Sequence, residues 1–281
     1  MKIAAVASLV LLSAIAVTEA FSLSTSRIGS GVRQTKLFSS APSDVDDMSI
    51  DPFLDEAVSL ERQELKTELL RLCASYDRGF GASPKSRKEV DEIVAQLELM
   101  NPTPINAARG VDGEDSAEGP APLEGAWQMI WTTALDVLTL AASPIAAPGA
   151  IYQIIDPPLA INIIDFIPRI QSLMPTMFPS SLVRAEVKTR ASLRPHHSNR
   201  VGLNFEAVKL VPIEVLGMKP DFLPPLNFNL PQIKVEDLPG VDPNTAPGFF
   251  DVVYLDDDML VIKQNAPGGY FVSIKVENYE P

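Results

Sequence analysis

Between Leu182 and Leu193 the chain alternates. Val183, Ala185, Val187, Ala191 and Leu193 face one way, and Arg184, Glu186, Lys188, Arg190 and Ser192 face the other. A period of two with one dry and one wet face is the mark of an antiparallel strand packed on a core. The pattern holds across the C-terminal half. Trp127, Met129 and Trp131 share a face. Ile151–Asp156 and Leu159–Asp165 are apolar runs, and Val201, Leu203 and Phe205 continue the alternation after a turn at Pro195–Asn199. The parity slips near Ala207-Val208, where a β-bulge is expected. Phe250, Val252 and Tyr254, then Leu260 and Ile262, then Tyr270, Val272, Ile274 and Val276 complete the set. These are about eight strands with no amphipathic helix between them. Consecutive antiparallel strands of that number predict an up-and-down β-barrel over residues 123–277, with room inside for side chains and one small ligand.

The barrel is interrupted by Phe166–Ser181 and Pro212–Gly248, which are apolar but too rich in proline for interior elements. They read as long loops, either lids and binding surfaces or segments folded back on the barrel mouth. Ahead of the barrel the period is helical. Val58, Leu65, Leu69, Leu72 and Tyr76 form one stripe, and Val90, Ile93, Val94 and Leu97 form another. Gly79 and Gly81 end the first helix, and Ser83-Pro84 begins the second. Residues 44–100 are therefore expected as a two-helix segment packed by one face. Residues 101–122, an acidic Pro/Gly-rich stretch, read as a linker without a core.

The N-terminus reads as an address. Residues 1–20 have a positive Lys2, a short apolar run Ile3–Val17 and a small-residue end, as in a signal peptide. Residues 21–40 are rich in Ser and Thr, hold Arg27, Arg33 and Lys36, and contain no acid, which is transit-peptide composition. A signal peptide followed by Phe21 and a basic segment resembles the two-part address of algae with secondary plastids, such as diatoms. Net charge is −13. The basic address hides part of the acidity of the remainder. A body that acidic repels phosphate backbones, so nucleic acid is not expected as a partner. After residue 20 the nearest approach to a membrane span is Leu135–Ile155, and Asp136, Pro144, Pro148, Gly149 and Gln153 interrupt it.

The chemistry is sparse. His196 and His197 are the only histidines and lie in a cation-flanked turn, which disfavours metal binding. The single cysteine, Cys73, excludes a disulfide framework and reads as a small buried hydrophobe. Asp256–Asp258 suits a hairpin turn at least as well as a cation. No phosphate-cradling glycine loop is present. The chain is therefore read as a non-enzyme without metal or cofactor. Apolar strand faces remain, and they nominate a pocket lined by Trp127, Trp131, Tyr152, Val187, Phe205, Tyr254 and Val272, with Gln153 or Arg184 to orient a ligand head. The alternative is that these side chains simply fill the barrel.

Three blocks in order carry a resemblance: Leu97–Pro104 (LELMNPTP), Leu123–Asp156 with its Gly125-Ala126-Trp127, Trp131-Thr132-Thr133 and Gly149–Asp156, and Gly248–Asp258 (GFFDVVYLDDD). Together they resemble the plastid lipid-associated protein (PAP/fibrillin, plastoglobulin) family. Gly-x-Trp is also a first-strand feature of lipocalins, so the resemblance implies a lipocalin-like barrel. The sequence departs from the family at Trp131, where Tyr is usual, and over Met259–Pro267. The resemblance implies a plastid protein peripheral to thylakoids or plastoglobules. It would hold or shield carotenoids, prenylquinones or other lipids, or serve a partner enzyme. Two other readings stay open: an enzyme or accessory subunit of carotenoid or prenylquinone metabolism, and a scaffold on lipid droplets.

Overall fold

The computed structural model describes residues 52–103, 105–114, 119–194, 197–220, 222–230, 248–265 and 268–279. The expected signal and transit segments lie outside the described residues, as do residues 44–51 of the expected helical segment and residues 221 and 231–247 of the second proline-rich loop.

Two helices come first, α1 (Pro52–Ser75) and α2 (Pro84–Leu99). Ser83 caps α2 by accepting from the Ser86 amide at 3.1 Å, and Pro84 follows it, where a missing N–H costs nothing. The turn between the helices includes Gly79 at a φ of 95°. A Cβ there would collide with the Thr132 carbonyl, so glycine is required both by the backbone and by the close approach to the sheet.

The strands are β1 (Gly125–Thr132), β2 (Ala146–Asp156), β3 (Leu159–Pro168), β4 (Leu182–Arg194), β5 (His197–Glu214), β6 (Leu226–Asn229), β7 (Phe249–Leu255), β8 (Met259–Gln264) and β9 (Gly269–Val276). Short helices α3 (Leu135–Leu138) and α4 (Arg169–Leu173) follow β1 and β3. The circuit β1-β2-β3-β4-β5-β7-β8-β9 closes on itself, an antiparallel barrel of eight strands as expected. β6 and β7 occupy successive lengths of one edge of β5. Arg200–Gly202 pairs with β7, and Ala207–Leu210 pairs with β6. The bulge expected near Ala207 falls at Glu206, skipped where Lys188 and Thr189 pair with Ala207 and Phe205.

Three apolar clusters divide the molecule. The first fills one end of the barrel with Leu123, Trp127, Ile155, Phe250, Leu255 and Leu260. Ala107, Ala108 and Val111 belong to it and are fully buried. The stretch read as a coreless linker therefore supplies the floor of the barrel. Alanine and valine fit between proline and glycine without needing a regular element. The Ala107 amide donates to Asn199 Oδ1 at 3.1 Å, and the Ala108 amide to the Ser198 carbonyl at 3.2 Å. Asn101 straps the chain leaving α2 to β7: its Oδ1 accepts from the Leu255 amide, and its Nδ2 donates to the Val253 carbonyl.

The second cluster is outside the barrel. Leu69, Leu72, Cys73, Val90, Val94 and Leu97 of the helices cover Trp131, Tyr254, Met259, Val261 and Val272 of β1, β7, β8 and β9. Burial pushes the Cys73 thiol up to about 12, consistent with a packing role. Val58, placed in the α1 stripe by spacing, is exposed. Lys66 clamps α1 to the β7–β8 turn. Its ammonium meets Asp256 at 2.8 Å and also Asp258, so the acidic turn serves the helix. Burial alone would raise the Asp256 pKa, but hydrogen bonds from Lys66 and Tyr254 outweigh it and hold the carboxyl at about 2. The third cluster lies at the opposite end of the barrel and holds Leu140, Phe166, Ala185, Val208 and Leu210. No helix among the described residues is long and apolar enough to cross a membrane.

Candidate functional site

Between the first and third clusters lies a partly open cavity of about 180 Å³ inside the barrel. Its walls come from every strand of the closed circuit, with α3 above. Trp127 and Met129 of β1, Ile151 and Gln153 of β2, Ala185 and Val187 of β4 and Leu203 and Phe205 of β5 line it, with Val137 and Leu140 at the rim end. The lining is overwhelmingly apolar, because inward positions of these strands hold aliphatic and aromatic side chains.

Of the nine residues nominated by the sequence, Trp127, Gln153, Val187 and Phe205 sit on the inward face and line the cavity. Trp127 is fixed by its indole N–H, which donates to the Leu123 carbonyl at 2.9 Å. Tyr152 borders the cavity, but its ring alternates to the outer face and meets the Tyr279 ring at 5.0 Å. The other four are corrections. Trp131 pairs with Val272 after a register shift that skips Ile130, and this turns Trp131 outward under the helices. Tyr254 follows a second such shift at Val253 and also packs outward, its hydroxyl donating to Asp256. Val272 lies on the helix-covered face, while its neighbours Phe271 and Ser273 line the cavity. Arg184 is on the outer wall, where its guanidinium grips Asp165 across the strands at 2.8 and 3.3 Å.

Spacing alone did not disclose one pair. Asp136 of α3 and Gln264 of β8 both line the cavity, and Gln264 Nε2 donates to Asp136 Oδ2 at 3.2 Å. Gln264 Oε1 is buried without a hydrogen-bond partner. Burial raises the Asp136 pKa above the ordinary carboxylate range, and the hydrogen bonds from Gln264 and from the Val137 amide offset it only in part. Asn162 and Ser273 complete the polar lining. The pair provides a hydrogen-bonding spot in an apolar room, suited to a hydroxyl or carbonyl on a ring.

A carboxyl whose folded pKa lies above its unfolded value costs nothing when both states are protonated. The penalty grows as pH rises from the unfolded pKa to the folded one and then stays constant. Asp136→Asn is therefore expected to be more stable than the wild type at pH 8, with the difference shrinking toward zero at pH 4. Thermal melts of both proteins across that range check this, and an Asn variant that is less stable at pH 8 contradicts it.

A closed antiparallel barrel with a plugged floor and an apolar interior cavity places the chain in the class of lipocalin-like barrels. Sequence comparison narrows this. The PAP_fibrillin family model matches residues 63–273, and the chain belongs to that family. It is similar to plastid lipid-associated protein 1, chloroplastic, of Brassica campestris, with 25% identity over 253 residues, covering 76% of this chain and 68% of that one. It is 24% identical over 253 residues to probable plastid-lipid-associated protein 2, chloroplastic, of Arabidopsis thaliana, covering 76% and 71%. A shorter match to plastoglobulin-1, chloroplastic, of Pisum sativum is 32% identical over 105 residues, covering 36% of this chain and 26% of the relative. No solved structure matches.

Proposed function

We propose that this protein is a non-catalytic plastid protein that holds small hydrophobic molecules at a thylakoid or plastoglobule surface, reached through the secondary-plastid route that its N-terminus resembles. The observation that carries the reading is the cavity: mostly apolar walls, a few polar groups headed by the Asp136–Gln264 pair, and a size that suits a ring. An engineered dry cavity of about 150 Å³ accepts benzene, so about 180 Å³ accommodates one substituted ring and not a whole carotenoid. The ligand is accordingly the ring end of a prenylquinone or carotenoid, or a lipid group of like size, with the chain outside. The names of the relatives, plastid lipid-associated protein and plastoglobulin, support the setting.

The test is direct. Tetramethylbenzoquinone and β-ionone are ring-sized probes without the long chain. Saturable quenching of tryptophan emission by either, lost in Trp127→Phe, is the expected result. Absence of quenching, together with no isoprenoid lipid in mass spectra of the natively purified protein, refutes the reading.

One observation favours a second reading, an accessory or catalytic role in carotenoid or prenylquinone metabolism. Asp136 is a carboxyl with a raised pKa inside a ligand-sized cavity, the setting in which general bases are found. Asp136→Asn separates the two readings. It keeps a hydrogen-bonding group of the same size beside Gln264, and it abolishes turnover of a substrate bound by the variant only if the carboxylate does chemistry.

A further inference from the structure

Most of the exposed large hydrophobic side chains among the described residues gather at one end of the barrel, the end that carries α3, α4 and the loop after β5. Leu173, Met177, Leu216, Met218 and Phe222 are each more than 60% exposed. They come from two loops far apart in sequence, and hydrogen bonds lace those loops to each other and to the α3 segment. The Gly217 amide donates to the Ser180 carbonyl at 2.6 Å, and the Leu216 amide donates to Ser181 Oγ at 3.0 Å. The Ser181 amide donates to Gln171 Oε1 at 2.7 Å. The Arg169 guanidinium donates to the carbonyls of Ser143 and Ala141 at 2.9 and 2.6 Å. Exposed side chains of a single loop are ordinary, but a laced rim of them is a surface with one shape.

The charge of this rim differs from that of the rest. The chain carries −13, yet Phe166–Ser181 and Val215–Pro220 contain Arg169 and Lys219 and no carboxylate. Asp221 is the one acid in Val215–Leu230. An acidic body is repelled least from a phosphate-bearing surface where its acids are few. The cavity lies toward the same end: Asp136, Val137, Leu140, Phe166 and Leu230 line it from that side, while the opposite end is plugged by Ala107, Ala108 and Val111.

We propose that this rim is a lipid-docking face. The barrel stands on a lipid surface with Leu173, Met177, Leu216, Met218 and Phe222 among the acyl chains, and its cavity is presented to that surface. A ring enters the cavity from the lipid while its chain stays behind in the lipid phase. The second half rests on the ring-binding reading above, whereas the docking face itself stands without it.

The single cysteine makes a site-specific test available. Cys73 is buried, so a cysteine placed in the full chain at Met177→Cys, at Met218→Cys or, as a control on the exposed face of α1, at Leu70→Cys takes a polarity-sensitive nitrobenzoxadiazole label selectively. All three positions are exposed, so the label does not disturb the core. On adding vesicles of phosphatidylcholine and phosphatidylglycerol, the labels at 177 and 218 are expected to shift to shorter wavelength and brighten severalfold, while the label at 70 stays as in water. Leu173→Glu with Leu216→Glu is expected to abolish the shift at 218 and leave tetramethylbenzoquinone quenching unchanged. Silence at 177 and 218, or an equal response at 70, overturns the proposal. So does a blue shift that appears without vesicles on raising protein concentration, which would make a second copy of the chain the occupant. Loss of quinone quenching in the wild type with the label shifts intact would sink the ring-binding reading and leave the docking face standing.

Discussion

Trp131→Ala is expected to cost about 3–5 kcal/mol of unfolding free energy, the usual range for deleting a fully buried large aromatic. For a domain of this size that lowers the melting temperature by on the order of ten degrees. The indole is the largest side chain where α1 and α2 meet the barrel, and it packs with Leu69, Leu97, Tyr254 and Val261. Its removal opens a hole that two helices joined by a short turn cannot close. Trp131→Phe should cost less than Ala, because the ring remains and the buried indole N–H, which has no hydrogen-bond partner, is removed. Denaturant unfolding of the three proteins gives the order. The same variants test the position of the two tryptophans. Trp131→Phe keeps probe quenching and Trp127→Phe loses it, because only Trp127 lines the cavity. The reverse result would place the ligand between helices and barrel.

The reason Trp131, Tyr254 and Val272 were misplaced by sequence is physical. Alternation identifies an inside face only where the other face is wet. Around β4 it is wet, so Ala185 and Val187 were assigned correctly beside Arg184, Glu186 and Lys188. On β7, β8 and β9 the outer face is dry because the helices cover it, and Met259, Leu260, Val261 and Ile262 are all buried. A strand that is apolar on both sides carries no parity signal. The one-residue skips at Ile130 and Val253 then turned Trp131 and Tyr254 over, and nothing in composition marks a skip between apolar neighbours. The barrel itself was legible because strand number and turn spacing survive such slips. The floor was not, since Ala107, Ala108 and Val111 are too few and too small to stand out in a Pro/Gly-rich run. Nor was the Asp136–Gln264 pair, whose members are 128 residues apart. Asp136 is one of five residues that interrupt the apolar stretch Leu135–Ile155, and spacing does not set it apart from the other four; the cavity supplies its setting.

Two alanines on β4 decide whether the cavity is real space. Ala185 and Ala191 are both buried and both face inward. Ala185 lines the cavity, opposite Ile164 on β3. Ala191 belongs to the packed end of the barrel, beside Trp127, Ile155 and Ala160. The same substitution should therefore have opposite consequences. In Ala185→Phe the phenyl ring enters existing room and gains apolar burial that offsets its strain, so stability changes by no more than about 1 kcal/mol. It occupies the space of a ligand ring, and probe affinity falls by roughly two orders of magnitude, the equivalent of about 3 kcal/mol of binding free energy. In Ala191→Phe no room exists. The ring must displace neighbours, and the cost is about 1–3 kcal/mol or more. Binding by the folded fraction falls less than in Ala185→Phe, since the new ring does not occupy the cavity and reaches its walls only through Trp127 and Leu203. Melting temperatures and quinone titrations on the pair read both effects. Equal destabilisation by the two variants would mean that the space beside Ala185 is closed in solution, and the ring-binding reading would lose its site.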